Sequence, residues 1–298
     1  MTEPRIATPG PVLATAVPVT NPGAETGEGP RWDPVAGILW WVDVDGGRVH
    51  RYDPASRTNA SLDLGTSVGA VNPRIGGGLV AVVDMRVAML DPETGALETL
   101  VTLDPGPAPS RTNDAACDPA GRLWVGTCAA DWQPNPGSGS LYRVDADGTV
   151  TRAVPAVTLS NGIAWRPDGS ELFFVDTPTQ RIDAYPADPA TGELGERRTV
   201  AVIPAEAGMP DGLVLDAEGL LWVGLWGGGA AWRIDPADGR CVGVVEVPTV
   251  NVTACAFGGP ALDDLYLTTA AEPGNPLGGA LFHARVGVAG LPAYPFAG

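Results

Sequence analysis

Short apolar runs alternate with turn-forming clusters along almost the whole chain. "NDAACDPAGRLWVGT" from Asn113, "NGIAWRPDGSELFFVDT" from Asn161 and "DGLVLDAEGLLWVGL" from Asp211 share one order: a polar leading residue, an apolar strand, an Asp/Pro/Gly turn and an aromatic-rich strand. Each predicts a β-hairpin. "EGPRWDPVAGILWWVDV" from Glu28 follows the template, "TACAFGGPALDDLYLTT" from Thr253 follows it less regularly, and a degenerate copy begins near Gly69. A third strand follows most hairpins ("GRVHRYDP", "GSLYRVDADG", "AAWRIDPADG"), with a turn and a further short strand beyond. Four strands recurring every ~40–50 residues are the signature of propeller blades. The pattern predicts an all-β chain, a six-bladed β-propeller of four-stranded blades around a central metal-binding channel. It reads as one domain over 1–298, with residues 1–26, around "PVLATAVPV", closing the ring and removing an exposed edge.

In a propeller the first strand of each blade lines the channel, so equivalent leading residues meet near the axis. Glu28, Asn113, Asn161 and Asp211 are equivalent, with Gly69 and Thr253 at the other two places. A single such residue is adequately explained by turn capping. Four aligned ones form a ring of hard oxygen donors suited to Ca²⁺, Mg²⁺ or Mn²⁺ and acceptable to Zn²⁺. A cation there would also relieve repulsion between two crowded carboxylates. Asp211 is then a ligand of an axial divalent ion. Two longer segments, "CAADWQPNPGSGS" after Thr127 and "AAEPGNPLGG" after Thr269, fall at the same end of their blades and are candidate cavity walls.

Composition narrows the chemistry. The formal net charge of −17, from 35 acidic and 18 basic residues, disfavours nucleic acid and anionic membranes as partners. Every basic residue is Arg, so Schiff-base and pyridoxal-phosphate chemistry through lysine is excluded. Cys117, Cys128, Cys241 and Cys255 lack zinc spacing and read as thiols in strands. The N-terminus has no secretory pattern and no stretch is long enough to span a bilayer, which points to a soluble cytoplasmic protein. "GTSVG" at 65–69 matches a nucleophile-elbow pattern outside any strand-to-helix context and is read as chance. His50 and His283 fall on third strands, away from the channel, which argues against His-assisted nucleophiles and His-ligated metal.

The chain resembles the senescence-marker-protein, gluconolactonase and regucalcin family of six-bladed propellers from Glu28 onward. The likeness rests on "GEGPRWDP", "RTNDAACDPAGRLWVGT", "LSNGIAWRPDG", "PDGLVLDAEGLLWVGLWGGG" and "NVTACAFGG". It implies Glu28, Asn161 and Asp211 as metal ligands, and Arg111 and Asn113 as substrate contacts with Asn113 close to the metal. It also implies one divalent ion, Ca²⁺ or Zn²⁺ foremost, and a small sugar lactone as substrate, glucono- or xylonolactone for example. Some members carry an acidic substrate contact just after the third blade's "GT", where this chain has Ala129 and Ala130 and only then Asp131, which either takes that role or faces water.

Opening a lactone needs a polarised carbonyl, an activated water and oxyanion stabilisation. Asp211 is the favoured proton acceptor, and hydroxide generated on the ion is the alternative nucleophile. Arg111 suits sugar hydroxyls or the released carboxylate. A phosphotriesterase or other esterase on the same scaffold, and a non-enzymatic metal-binding propeller, are the competing readings.

Overall fold

The computed structural model describes residues 5–104 and 106–298. Residues 1–4 of the N-terminal segment, and Pro105 within the "DPGPAP" linker, lie outside the described residues. Six sheets radiate from one axis as a β-propeller, and the only helical pieces among the described residues are two 3₁₀ turns. The first blade takes strands Gly27–Asp33, Ile38–Asp43, Arg48–Asp53 and Thr58–Asp63 from the hub outward. Blades two to five begin on inner strands Val68–Pro73, Ser110–Cys117, Ser160–Trp165 and Met209–Leu215, and the sixth on Val252–Gly258. Inner strands of neighbouring blades pack side by side, the sixth against the first. No helix among the described residues is long and apolar enough to cross a membrane.

The hairpin motif has a visible physical basis in the third and fifth blades. Asp118 Oδ1 accepts the Ala120 and Arg122 amides and so shapes the turn, while Oδ2 accepts the indole N–H of Trp124 at 3.0 Å. Asp216 repeats this with the Glu218 and Leu220 amides and with Trp222 at 2.9 Å. One aspartate thus sets the turn and satisfies the polar edge of a buried tryptophan, which lets the rest of the ring fill the space between blades. Trp41, Trp124 and Trp222 are fully buried, each stabilising the fold by ~2–3 kcal/mol through apolar burial.

Ring closure is divided between the two ends. Strand Val17–Thr20 pairs antiparallel with Leu281–Arg285 and supplies the fourth strand of the sixth blade. Strand Val12–Thr15 instead runs parallel to Cys241–Glu246, adding a fifth strand to the fifth blade. At the other end, residues 290–298 form a strap across the face opposite the leading residues. It bridges Asp216 through Gly290, passes the far channel mouth at Leu291–Tyr294, and bonds Pro73, Ile75 and Gly121 through Phe296 and Ala297. Phe296 is fully buried between the second and third blades. Phe296→Ala is expected to cost about 3–5 kcal/mol, read as a lower urea midpoint with an unchanged slope.

His50 lies on the third strand of the first blade, buried and stacked on Trp41 with ring centroids 4.1 Å apart. Its Nδ1 accepts from Asn59 Nδ2 at 3.0 Å, which fits a neutral ring. Burial, with a smaller push from Arg48 and against the pull of Asp43, brings its pKa down to about 4. Because the folded state refuses a proton that the unfolded chain accepts near pH 6.5, this group's contribution is complete above that pH and is lost as pH falls toward 4. At its limit the loss is on the order of 3 kcal/mol. His50→Gln should therefore narrow the difference between urea midpoints at pH 7 and pH 5.

Candidate metal centre and its cavity

In every blade the pairing of the inner strand with its neighbour slips at the leading residue. The slips fall at Glu28/Arg31, Val68/Ala70, Thr112/Ala115, Asn161/Ile163, Pro210/Leu213 and Val252/Ala254. A bulge bends its strand and re-aims a side chain, and six in register around the ring turn the leading positions toward the axis. Gly162 shows how tight the hub is: its φ is +22°, and a Cβ there would lie 2.7 Å from the Asp211 carbonyl oxygen. Two positions contribute no metal donor. A side chain at Gly69 would collide with the Asn113 backbone, and the Thr253 hydroxyl donates to Gly27 O at 2.6 Å, tying the sixth blade to the first.

The other four leading residues converge. Glu28, Asn113, Asn161 and Asp211 are all buried and line one cavity of about 350 Å³, together with Arg111. Asn161 is held by its amide nitrogen, which donates to Thr177 Oγ1 at 2.8 Å, while Thr177 donates onward to Pro210 O. Its Oδ1 accepts Asn113 Nδ2 at 2.6 Å. Asn113 Oδ1 in turn accepts Arg111 Nη1 at 2.5 Å. Arg111 is therefore linked through Asn113 to Asn161, and it has no carboxylate partner among the described residues.

The two carboxyl groups line the same cavity, and the charge of Glu28 helps to hold Asp211 protonated. Burial, reinforced by the charge of Asp114, raises the pKa of Glu28, and burial with the charges of Glu28 and Asp114 raises that of Asp211. Asp211 Oδ1 is buried without any hydrogen-bond partner among the described residues. Behind them Asp114, also buried, pairs with Arg31 at 3.3 Å, and Arg31 bonds Asn72 Oδ1 and Ala115 O. With Asp45 and Arg111 of the cavity wall, four carboxylates face two guanidiniums, an excess of two negative charges if all are ionised. An orphaned carboxylate oxygen, two crowded acids and a neighbouring amide oxygen are the donor set of a hard divalent cation with positions left open for water or substrate. Glu28, Asn161 and Asp211 fit such an ion.

These features place the chain among known proteins. Residues 26–271 match the SMP-30/gluconolactonase/LRE-like region. The chain belongs to the SMP-30/gluconolactonase/LRE-like family. Within this family it is 34% identical over 291 residues to a pentonolactonase of Haloferax volcanii, covering 94% of this chain and 97% of that one. It is 35% identical over 283 residues to the regucalcin of Gallus gallus, covering 91% and 95% respectively. A crystal structure from Agrobacterium tumefaciens, described as the calcium-binding protein regucalcin, superposes with a TM-score of 0.88 at 30% identity, covering 98% of this chain and all of that one.

Asp131 does not join the cavity. Strand pairing ends at Ser110↔Ala129, and the loop beyond folds on itself, with Asp131 O accepting Asn135 Nδ2 at 2.8 Å and the Asp131 side chain left in solvent. Trp132 and Gln133 of the same loop form the wall instead. The "AAEPGNPLGG" segment is not part of the lining either; Glu272 ties it to Thr249 and Asn275. Sequence reading missed Thr177, the Arg31–Asp114 pair and Asp45, which lines the cavity from the first blade. The glycines after Glu28, Asn161 and Asp211 are the signal that would have located three of the bulges.

Proposed function

We propose that this protein is a metal-dependent hydrolase that opens small sugar lactones to the corresponding aldonic acids. The observation that supports it most is the pair of buried carboxylates in one cavity with an arginine, where, among the described residues, Asp211 Oδ1 has no hydrogen-bond partner and Arg111 no carboxylate partner. The names of two relatives, a pentonolactonase and a calcium-binding regucalcin, point the same way. Glu28, Asn161 and Asp211 would hold a divalent ion, which would supply Lewis acidity toward the lactone carbonyl and ease deprotonation of the attacking water.

The chain's own residues supply the rest. Asp211, oriented at the bulge, accepts the proton released as water adds to the carbonyl and returns it to the ring oxygen as the acyl C–O bond breaks. Arg111, fixed by Asn113, donates its planar N–H groups to substrate oxygens and to the carboxylate formed on ring opening. Thr177 keeps the Asn161 amide from turning its nitrogen toward the hub. Trp132 and Trp226 wall the cavity and limit water access to its floor.

The test is acid release from glucono- and xylonolactone, followed with a pH indicator, alongside an organophosphate triester. Lactone turnover well above triester turnover is the expected result. The reverse order would move the reading to a phosphotriesterase, and no turnover of either would leave a binding protein.

A further inference from the structure

We propose that Asp45 is a specificity-determining residue whose carboxylate, at the rim of the hub cavity, accepts hydrogen bonds from substrate hydroxyls and selects polyhydroxylated lactones over unsubstituted ones. The proposal rests on the lactonase reading above and names a feature of its substrate.

Asp45 follows the second strand of the first blade and lines the same cavity as Glu28 and Asp211. The depths differ. Glu28 and Asp211 are 8% and 5% exposed, whereas Asp45 is exposed at the mouth. Thr26 Oγ1 donates to Asp45 Oδ2 at 2.6 Å and fixes the side chain, while Oδ1 has no protein donor and the carboxylate no arginine partner among the described residues. Arg111 lines the same cavity, also without a charged partner among the described residues.

An anion and a cation that share a cavity without pairing leave their hydrogen-bonding capacity to a ligand. The carboxylate accepts only, so its complement is a row of donors, and a sugar's hydroxyls are such a row. A hydrogen bond to a charged acceptor is about twice as strong as a neutral one, so each hydroxyl that reaches Asp45 favours the hydroxylated ring over one without it. With Asp131 turned out to solvent, Asp45 is the carboxylate at the rim able to do this.

The test compares kcat/KM for xylonolactone and unsubstituted δ-valerolactone in the metal-loaded wild type, Asp45→Asn and Asp45→Ala. The ratio favouring the hydroxylated ring should fall at least ~10-fold in Asp45→Ala, carried by KM, and less in Asp45→Asn, which keeps one acceptor. A ratio changed by less than about twofold overturns the proposal, since a merely structural role would depress both substrates together. Calorimetric binding of xylitol, which cannot be hydrolysed, provides the second readout. Affinity should weaken at least ~5-fold in Asp45→Ala; unchanged affinity, or no binding by wild type, also overturns it. If xylitol binds through Asp45 while neither lactone is opened, the lactonase reading fails and the polyol contact stands.

Discussion

Asp211→Asn is expected to lower lactone turnover by ~10³-fold, within the range that loss of a general base produces, while leaving the propeller folded. The side chain keeps its size and its place at the bulge, but it loses the proton-accepting oxygen that nothing else in the hub engages. Stability supplies an independent sign. Without metal, burial and the charges of Glu28 and Asp114 oppose the ionisation of Asp211, so neutralising Asp211 should leave the ion-free protein at least as stable as wild type. Steady-state turnover and urea melts with chelator present check both parts. Full activity in the variant would remove Asp211 from the chemistry, and a large loss of ion-free stability would make its role structural.

Removal of divalent ions is the second large effect. A strong chelator is expected to abolish turnover, and readdition of Ca²⁺, Zn²⁺, Mg²⁺ or Mn²⁺ to restore it to degrees that rank the ions. An ion present at 100 times its Kd stabilises the folded state by about 2.7 kcal/mol, which for a chain of this size is on the order of 4–5 °C in melting temperature. Thermal melts with chelator and with each ion read this directly. Turnover and melting temperature indifferent to chelation would mean that the hub acids hold no cation.

The six hairpins are legible in the sequence because each repeat spells a turn and a buried aromatic with the same few residues, as Asp118 with Trp124 and Asp216 with Trp222 show. Convergence of Glu28, Asn113, Asn161 and Asp211 was legible for the same reason: equivalent places in equivalent blades must meet at the axis. What lay beyond reach depends on contacts between distant segments. The Arg31–Asp114 pair joins residues of different blades, Thr177 acts on Asn161 from a loop after the next strand, and the strap through Phe296 carries no repeat pattern. Asp131 illustrates the limit most plainly. Proximity in sequence to the third blade's second strand suggested the cavity, but a local bond from Asn135 decides which side chains of that loop face inward. Asp45 sits in a turn-like "DVDGG" whose composition does not distinguish it from any other acidic turn.

Shared closure of the ring governs how the protein is made. The fourth strand of the sixth blade is laid down near the start of the chain and its three partners near the end, so on the ribosome that sheet stays incomplete until Leu281–Arg285 has emerged. Contacts of such long sequence separation form slowly. During synthesis the strands Val12–Thr15 and Val17–Thr20 must wait unpaired, with Val12, Leu13 and Val17 apolar and exposed even in the finished fold. Nascent chains therefore carry these apolar edges open to mispairing until their partner strands emerge, and a chaperone guarding the growing polypeptide would find a client surface there.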